Sequence, residues 1–117
     1  MRTELIILEG ERPKSWNEFW SGMHWSARKK YKDRAKLVVR SAIDPNSKPF
    51  DVPVRIRYDI FMDKHLPDIE NICTKPYTDG LIGWLIVDDS PKYVPKFGVE
   101  LYADKENPRM EILITPA

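Results

Sequence analysis

At 117 residues, with 42% hydrophobic and 11% aromatic side chains, the chain suits one domain over residues 1–117, which rules out a disordered polymer or a second core. No apolar run approaches the ~18 residues that span a bilayer, Met1–Leu5 lacks the long apolar stretch of a signal peptide, and a lone Cys73 beside two histidines excludes a disulfide framework and makes a poor zinc set. The expectation is a soluble cytoplasmic protein with no membrane partner. Net charge is only +1, yet residues 12–40 hold nine Lys or Arg against two acids, whereas residues 41–117 hold nine against thirteen. A polyanion-binding surface beside an acidic site for a divalent metal fits this segregation, as does a solvated basic helix on a neutral domain.

In chain order, Leu5-Ile6-Ile7-Leu8 reads as a short buried strand closed by Gly10 and Pro13. Ser15-Trp16-Asn17-Glu18 has the capping-box pattern and predicts a helical turn through Trp20, ending at Gly22. Trp16, Phe19, Trp20 and Trp25 crowd this stretch, either as packing groups or as platforms for unpaired bases. From Ser26 to about Ile43, Ala27, Tyr31, Ala35, Val38 and Ala42 form an apolar stripe. Arg28, Lys29, Lys32, Lys36 and Arg40 lie off it, which predicts a basic exposed surface. Val52–Met62 alternates, with Val54, Ile56, Tyr58, Ile60 and Met62 on one face, and is the strongest strand pattern present. A shorter helix is expected within Asp68–Ile82, with Pro76 in its first turn and Gly83 at its end. Trp84-Leu85-Ile86-Val87 reads as a strand, and Val99–Ala103 with Met110–Thr115 as a hairpin around Lys105–Pro108. The order β–α–β–α–β–β–β predicts a mixed α/β (α+β) domain, one mixed sheet backed by two helices.

Between Asp59 and Asp89 stand seven acids and two bases, Lys64 and Lys75. Such density costs stability unless the carboxylates face water or hold a cation. Carboxylates are the hard oxygen ligands that Mg²⁺ and Mn²⁺ prefer, and a bound metal of this kind promotes phosphodiester hydrolysis. The alternative reading is a solvated acidic loop.

The order of the residues is distinctive. Asp68-Ile69-Glu70-Asn71, Lys75-Pro76, Asp79-Gly80-Leu81 and then Asp88-Asp89 resemble the signature of the RusA family of Holliday junction resolvases, roughly D-x-D-N-x-x-K-P-x-x-D-G-L followed by an apolar strand into D-D. Pro13, Ser15 and Asn17 match more loosely the family's loop before a basic helix. The resemblance implies a bacterial or prophage-encoded, Mg²⁺-dependent (or Mn²⁺-dependent) homodimeric endonuclease. Such an enzyme resolves four-way DNA junctions by paired cuts in recombination and repair.

It further implies Asp68, Glu70 and Asp89 as catalytic metal ligands, Asp88 as a weaker candidate beside them, and Lys75 as the group that offsets transition-state charge. DNA contacts would fall to Asn17, Arg28, Lys29, Lys32, Lys36, Arg40 and Asn71. Asp79, His24, His65 and Cys73 are assigned structural or surface roles. Two positions depart from the pattern: Glu70 replaces the usual aspartate, and the segment between Asn71 and Lys75 is one residue longer. In a continuous helix that extra residue would rotate Lys75 by about 100°. The alternatives are a branched-DNA-binding protein that does not cut, such as a degenerate resolvase or phage regulator, and a protein adaptor using the tryptophan-rich segment.

Overall fold

Alternation in residues 54–62 decides the architecture. In the computed structural model, which describes residues 1–63 and 65–117, Val54, Ile56, Tyr58, Ile60 and Met62 are all buried. They line the inner face of a strand, β2 (Val54–Met62), that has neighbours on both sides. The other elements are β1 (Glu4–Glu9), α1 (Trp16–Trp20), α2 (Trp25–Ser41), a 3₁₀ turn (Ile69–Asn71), α3 (Lys75–Leu81), β3 (Lys96–Ala103) and β4 (Arg109–Pro116). The sheet runs β1-β4-β2-β3, with β4 antiparallel to both β1 and β2 and β3 parallel to β2. The domain is therefore α+β with one mixed four-stranded sheet. Its core joins Ile6, Ile56, Ile60 and Ile112 of the sheet to Ala35 and Val39 of α2 and Tyr77 and Leu81 of α3. No helix among the described residues is long and apolar enough to cross a membrane. Lys64, one of the two bases counted in the acidic stretch, lies outside the described residues.

Several local expectations hold. Ser15 Oγ accepts from the Glu18 amide at 3.0 Å while Glu18 Oε1 accepts from the Ser15 amide at 3.3 Å, the reciprocal capping box at the start of α1. Pro76 sits in the first turn of α3, where its missing N–H costs nothing, and Gly83 takes φ +83° just past the helix end.

Tertiary context overrides four others. The predicted hairpin between the last two strands is absent, because β2 lies between them. The Asp104–Pro108 loop instead arches over the end of β2, where the Asp104 amide donates to the Met62 carbonyl at 2.8 Å. Residues 84–87 are not a strand: the amides of Trp84, Leu85 and Ile86 all donate back to the Leu81 carbonyl. The apolarity there reflects burial of Leu85 and Ile86, not sheet pairing. β1 is an edge strand buried on one face, Ile6 and Leu8 being inside while Leu5 and Ile7 remain 53% and 45% exposed. Along α2 the buried residues are Ala35, Val39 and, just past the helix, Ile43. Tyr31 and Val38 are half-buried against the core, and Ala27 and Ala42 are exposed. The buried side is chosen by α3, whose Gly80 approaches so closely that a Cβ there would lie 3.0 Å from Val39 Cβ and 3.2 Å from Lys36 Cα.

Candidate active site

The acidic segment begins in a turn and ends in a helix, with a break between. Asp68 caps the 3₁₀ turn in an extended conformation, and Ile72 beyond it is extended again at φ −79°, ψ 126°. Helix α3 then starts afresh at Lys75. The segment between Asn71 and Lys75 is therefore not one continuous helix, because extended Ile72 separates the 3₁₀ turn from α3, and the rotation expected of a continuous helix does not arise. That segment is fastened to the chain preceding α1. Ser15 bridges Ile72, and the Cys73 amide donates to the Lys14 carbonyl at 3.0 Å.

From the first turn of α3, Lys75 Nζ reaches Asp89 Oδ2 at 2.5 Å and Asp79 Oδ1 at 3.0 Å. The Asp89 hydrogen bond is the main reason the ammonium's pKa stands above its ordinary value, against a smaller opposing effect of burial. A cleft of about 240 Å³ opens beside this cluster, lined by Trp16, Thr78, Lys75, Asp89 and Phe97 among others. Lys75, Asp79 and Asp89 are thus brought together across 14 residues of chain, and Asp79, assigned only a structural role from sequence, shares the ammonium.

The metal assignment does not assemble in the same way. Asp68 and Glu70 are exposed on the 3₁₀ turn, and Asp88 and Asp89 are half-buried. Among the described residues, no three carboxylate, imidazole or thiolate side chains gather as a metal-holding group. The donor chemistry of these carboxylates suits Mg²⁺, and Lys75 supplies counter-charge to Asp79 and Asp89.

The DNA-contact residues divide. Arg28, Lys29 and Lys32 share one open surface with Trp20 and Trp25. Arg40 turns the other way. Its Nε donates to the Gly80 carbonyl at 3.2 Å, its guanidinium lies 5.5 Å over the Trp84 ring, and it thereby occupies carbonyls at the end of α3. Lys36 lies on the same side, its backbone against Gly80. Asn17 is exposed on α1, and half-buried Asn71 ends the 3₁₀ turn, its amide donating to the Asp68 carbonyl at 3.0 Å. His24 caps α2, Nδ1 accepting from the Ser26 amide at 3.3 Å, and His65 is exposed. Cys73 is fully buried, which pushes its thiol up to about 11 and makes it inert.

One cluster was invisible in the sequence. Glu11 accepts from both Arg34 of α2, at 2.6 and 3.1 Å, and the Tyr77 hydroxyl of α3, at 3.1 Å, while Tyr31 donates to Tyr77 at 3.4 Å. Burial above all raises the pKa of Tyr77, so it stays a neutral donor. These residues are up to 66 positions apart, and no local pattern links them. They tie the chain after β1 to both helices and so hold the cleft's surroundings in place.

No protein-family model matches the chain, and no curated protein is significantly similar to it.

Proposed function

We propose that this chain is a RusA-like, Mg²⁺- or Mn²⁺-dependent endodeoxyribonuclease that acts as a homodimer on four-way DNA junctions. The observation that carries the reading is the meeting of Lys75 with Asp89 at the mouth of the Trp16 cleft, two motif residues joined despite the departure between them. Arg28, Lys29 and Lys32 supply phosphate-binding charge nearby in sequence to α1, which lines that cleft through Trp16. A two-fold protein suits a two-fold junction, and one domain of this size, with a radius of gyration of 14.1 Å, spans little of it. Within the cleft, Lys75 offsets negative charge developing on a phosphoryl oxygen, and Asp79 and Asp89 hold its ammonium in place. The cofactor follows from the hard-oxygen chemistry of Asp68, Glu70, Asp88 and Asp89.

The decisive experiment is incubation with an end-labelled synthetic four-way junction in Mg²⁺, Mn²⁺ or EDTA. Paired, symmetrically placed cuts are expected with the metals and none with EDTA. Asp89→Asn is expected to abolish cutting while junction binding persists, and Lys75→Ala to slow cutting by about 10²-fold, the scale for one positioned electrostatic donor.

The second reading is a protein that binds branched DNA without cutting. It keeps the basic surface of Arg28, Lys29 and Lys32 and needs no metal. Salt-sensitive junction binding with no product in either metal would establish it.

A further inference from the structure

The aromatic residues of α1 and the start of α2 are not spent on the core as a group. Phe19 alone is inside, at 3% exposure, and anchors α1 by packing 5.9 Å from Tyr31 of α2. Trp20 and Trp25 are 57% and 67% exposed, an unusual cost for the largest apolar side chains. Trp16 and Trp20, four residues apart on α1, hold their rings within 5° of parallel with centroids 6.5 Å apart. The Arg28 guanidinium lies 4.8 Å over the Trp20 ring. Trp20, Trp25, Arg28, Lys29, Lys32 and Asp33 then line a shallow concavity of about 520 Å³, with three cations to one acid. At its other end the series reaches the Lys75–Asp89 cleft, because Trp16 lines both the stack and that cleft. The Ser15–Ile72 bridge and the Cys73–Lys14 hydrogen bond fix that junction through backbone contacts.

We infer that Trp16, Trp20 and Trp25 form a stacking track for an unpaired DNA strand, whose phosphates are held by Arg28, Lys29 and Lys32 as the strand runs to the Lys75–Asp89 cleft. Exposed aromatic rings interleaved with cations are what a single strand requires, since every base has a stackable face and every linkage a negative charge. Charge selects this occupant over a second copy of the chain. Residues 12–40 carry nine bases against two acids, so two such surfaces repel one another. Among the described residues Arg28 and Lys32 make no ion pair, while Lys29 meets Asp33 in an exposed pair that a phosphate easily displaces. The strand's direction toward the cleft rests on the nuclease reading above. The track itself does not, and it predicts that the substrate is engaged where bases are unstacked rather than along intact duplex.

The test is fluorescence anisotropy of labelled dT12 with the 117-residue chain in EDTA, so that binding is read without any cutting. Wild type is expected to bind dT12 more tightly than a 12-base-pair duplex. Trp20→Ala and Trp25→Ala, both at exposed positions, should each weaken dT12 binding about 10-fold or more, with the slope of affinity against salt preserved. Trp20→Phe should retain most of the affinity. Arg28→Ala with Lys32→Ala should instead lower that slope by about 1.4 units. Several results overturn the inference: unchanged dT12 affinity in both tryptophan variants, duplex preferred over dT12, polyglutamate competing as well as unlabelled dT12, or light scattering in which Trp20→Ala or Trp25→Ala dissolves a wild-type dimer. Loss of junction cutting alone touches only the nuclease reading, and loss of dT12 stacking alone touches only the track.

Discussion

The two faces of this domain treat charge in opposite ways. On the outer face of the sheet, Arg57 is held by Asp59 at 2.9 Å and by Glu100 and the Tyr102 hydroxyl at 3.0 Å. Arg109 is held by Glu111 at 2.7 Å and Asp104 at 3.2 Å, with its guanidinium 3.8 Å over Phe61. Both arginines are matched by carboxylates within the chain. On the helical side, Arg28 and Lys32 stand beside exposed tryptophans with no acid paired to them among the described residues. Cations already matched by carboxylates cross-link strands. Cations left beside stackable rings are available to a polyanion. Count of charge does not separate the two faces; partnership does.

The largest effect that tests this contrast is on DNA affinity. Replacing Arg28, Lys29 and Lys32 together by Ala should lower the salt slope of junction binding by up to about 3, which corresponds to a loss of tens-fold at moderate salt. Arg57→Ala should leave that slope unaltered. Equal losses from the two faces, read by titration at several salt concentrations, would break the comparison. Next in size is Gly80→Ala. Its added Cβ meets Val39 and Lys36 at 3.0 and 3.2 Å, so unfolding in urea should show a destabilisation of about 1–3 kcal/mol while the basic surface stays intact. Arg57→Ala and Arg109→Ala should each lower thermal stability modestly, because they strip counter-charges from Asp59, Glu100, Asp104 and Glu111, and should leave DNA binding unchanged.

The smallest effect is pH-linked and belongs to Lys75. Asp89 raises its pKa in the folded state, so the stabilisation is complete below the unfolded lysine value of about 10.4 and is lost as pH rises through the folded value. The difference in melting temperature between wild type and Lys75→Met should be constant near neutrality and shrink above about pH 10.4. A difference that grows in alkali would show that Asp89 does not hold the ammonium.

Short-range features were legible in the chain itself. The Ser15–Glu18 capping box, the alternation of Val54–Met62, Pro76 at the start of α3 and Gly83 past its end are each decided within a few residues, by hydrogen-bond geometry and periodic burial. So was the gathering of motif residues in the segment from Asp68 to Asp89. What depended on partners distant in sequence was not legible. Nothing within Lys96–Pro116 says that β2 intervenes between its two strands; the strand buried along its whole inner face takes the sheet's interior, and β3 is left to pair parallel at its free edge. The side of α2 that turns inward follows from the close approach of Gly80, and the partners of Arg40 from the end of α3. The chemistry of the cleft follows the same rule. Lys75 and Asp79 are an i,i+4 pair that the helix itself provides, but only folding brings Asp89, 14 residues on, to the same ammonium, where the cation offsets two carboxylates at once.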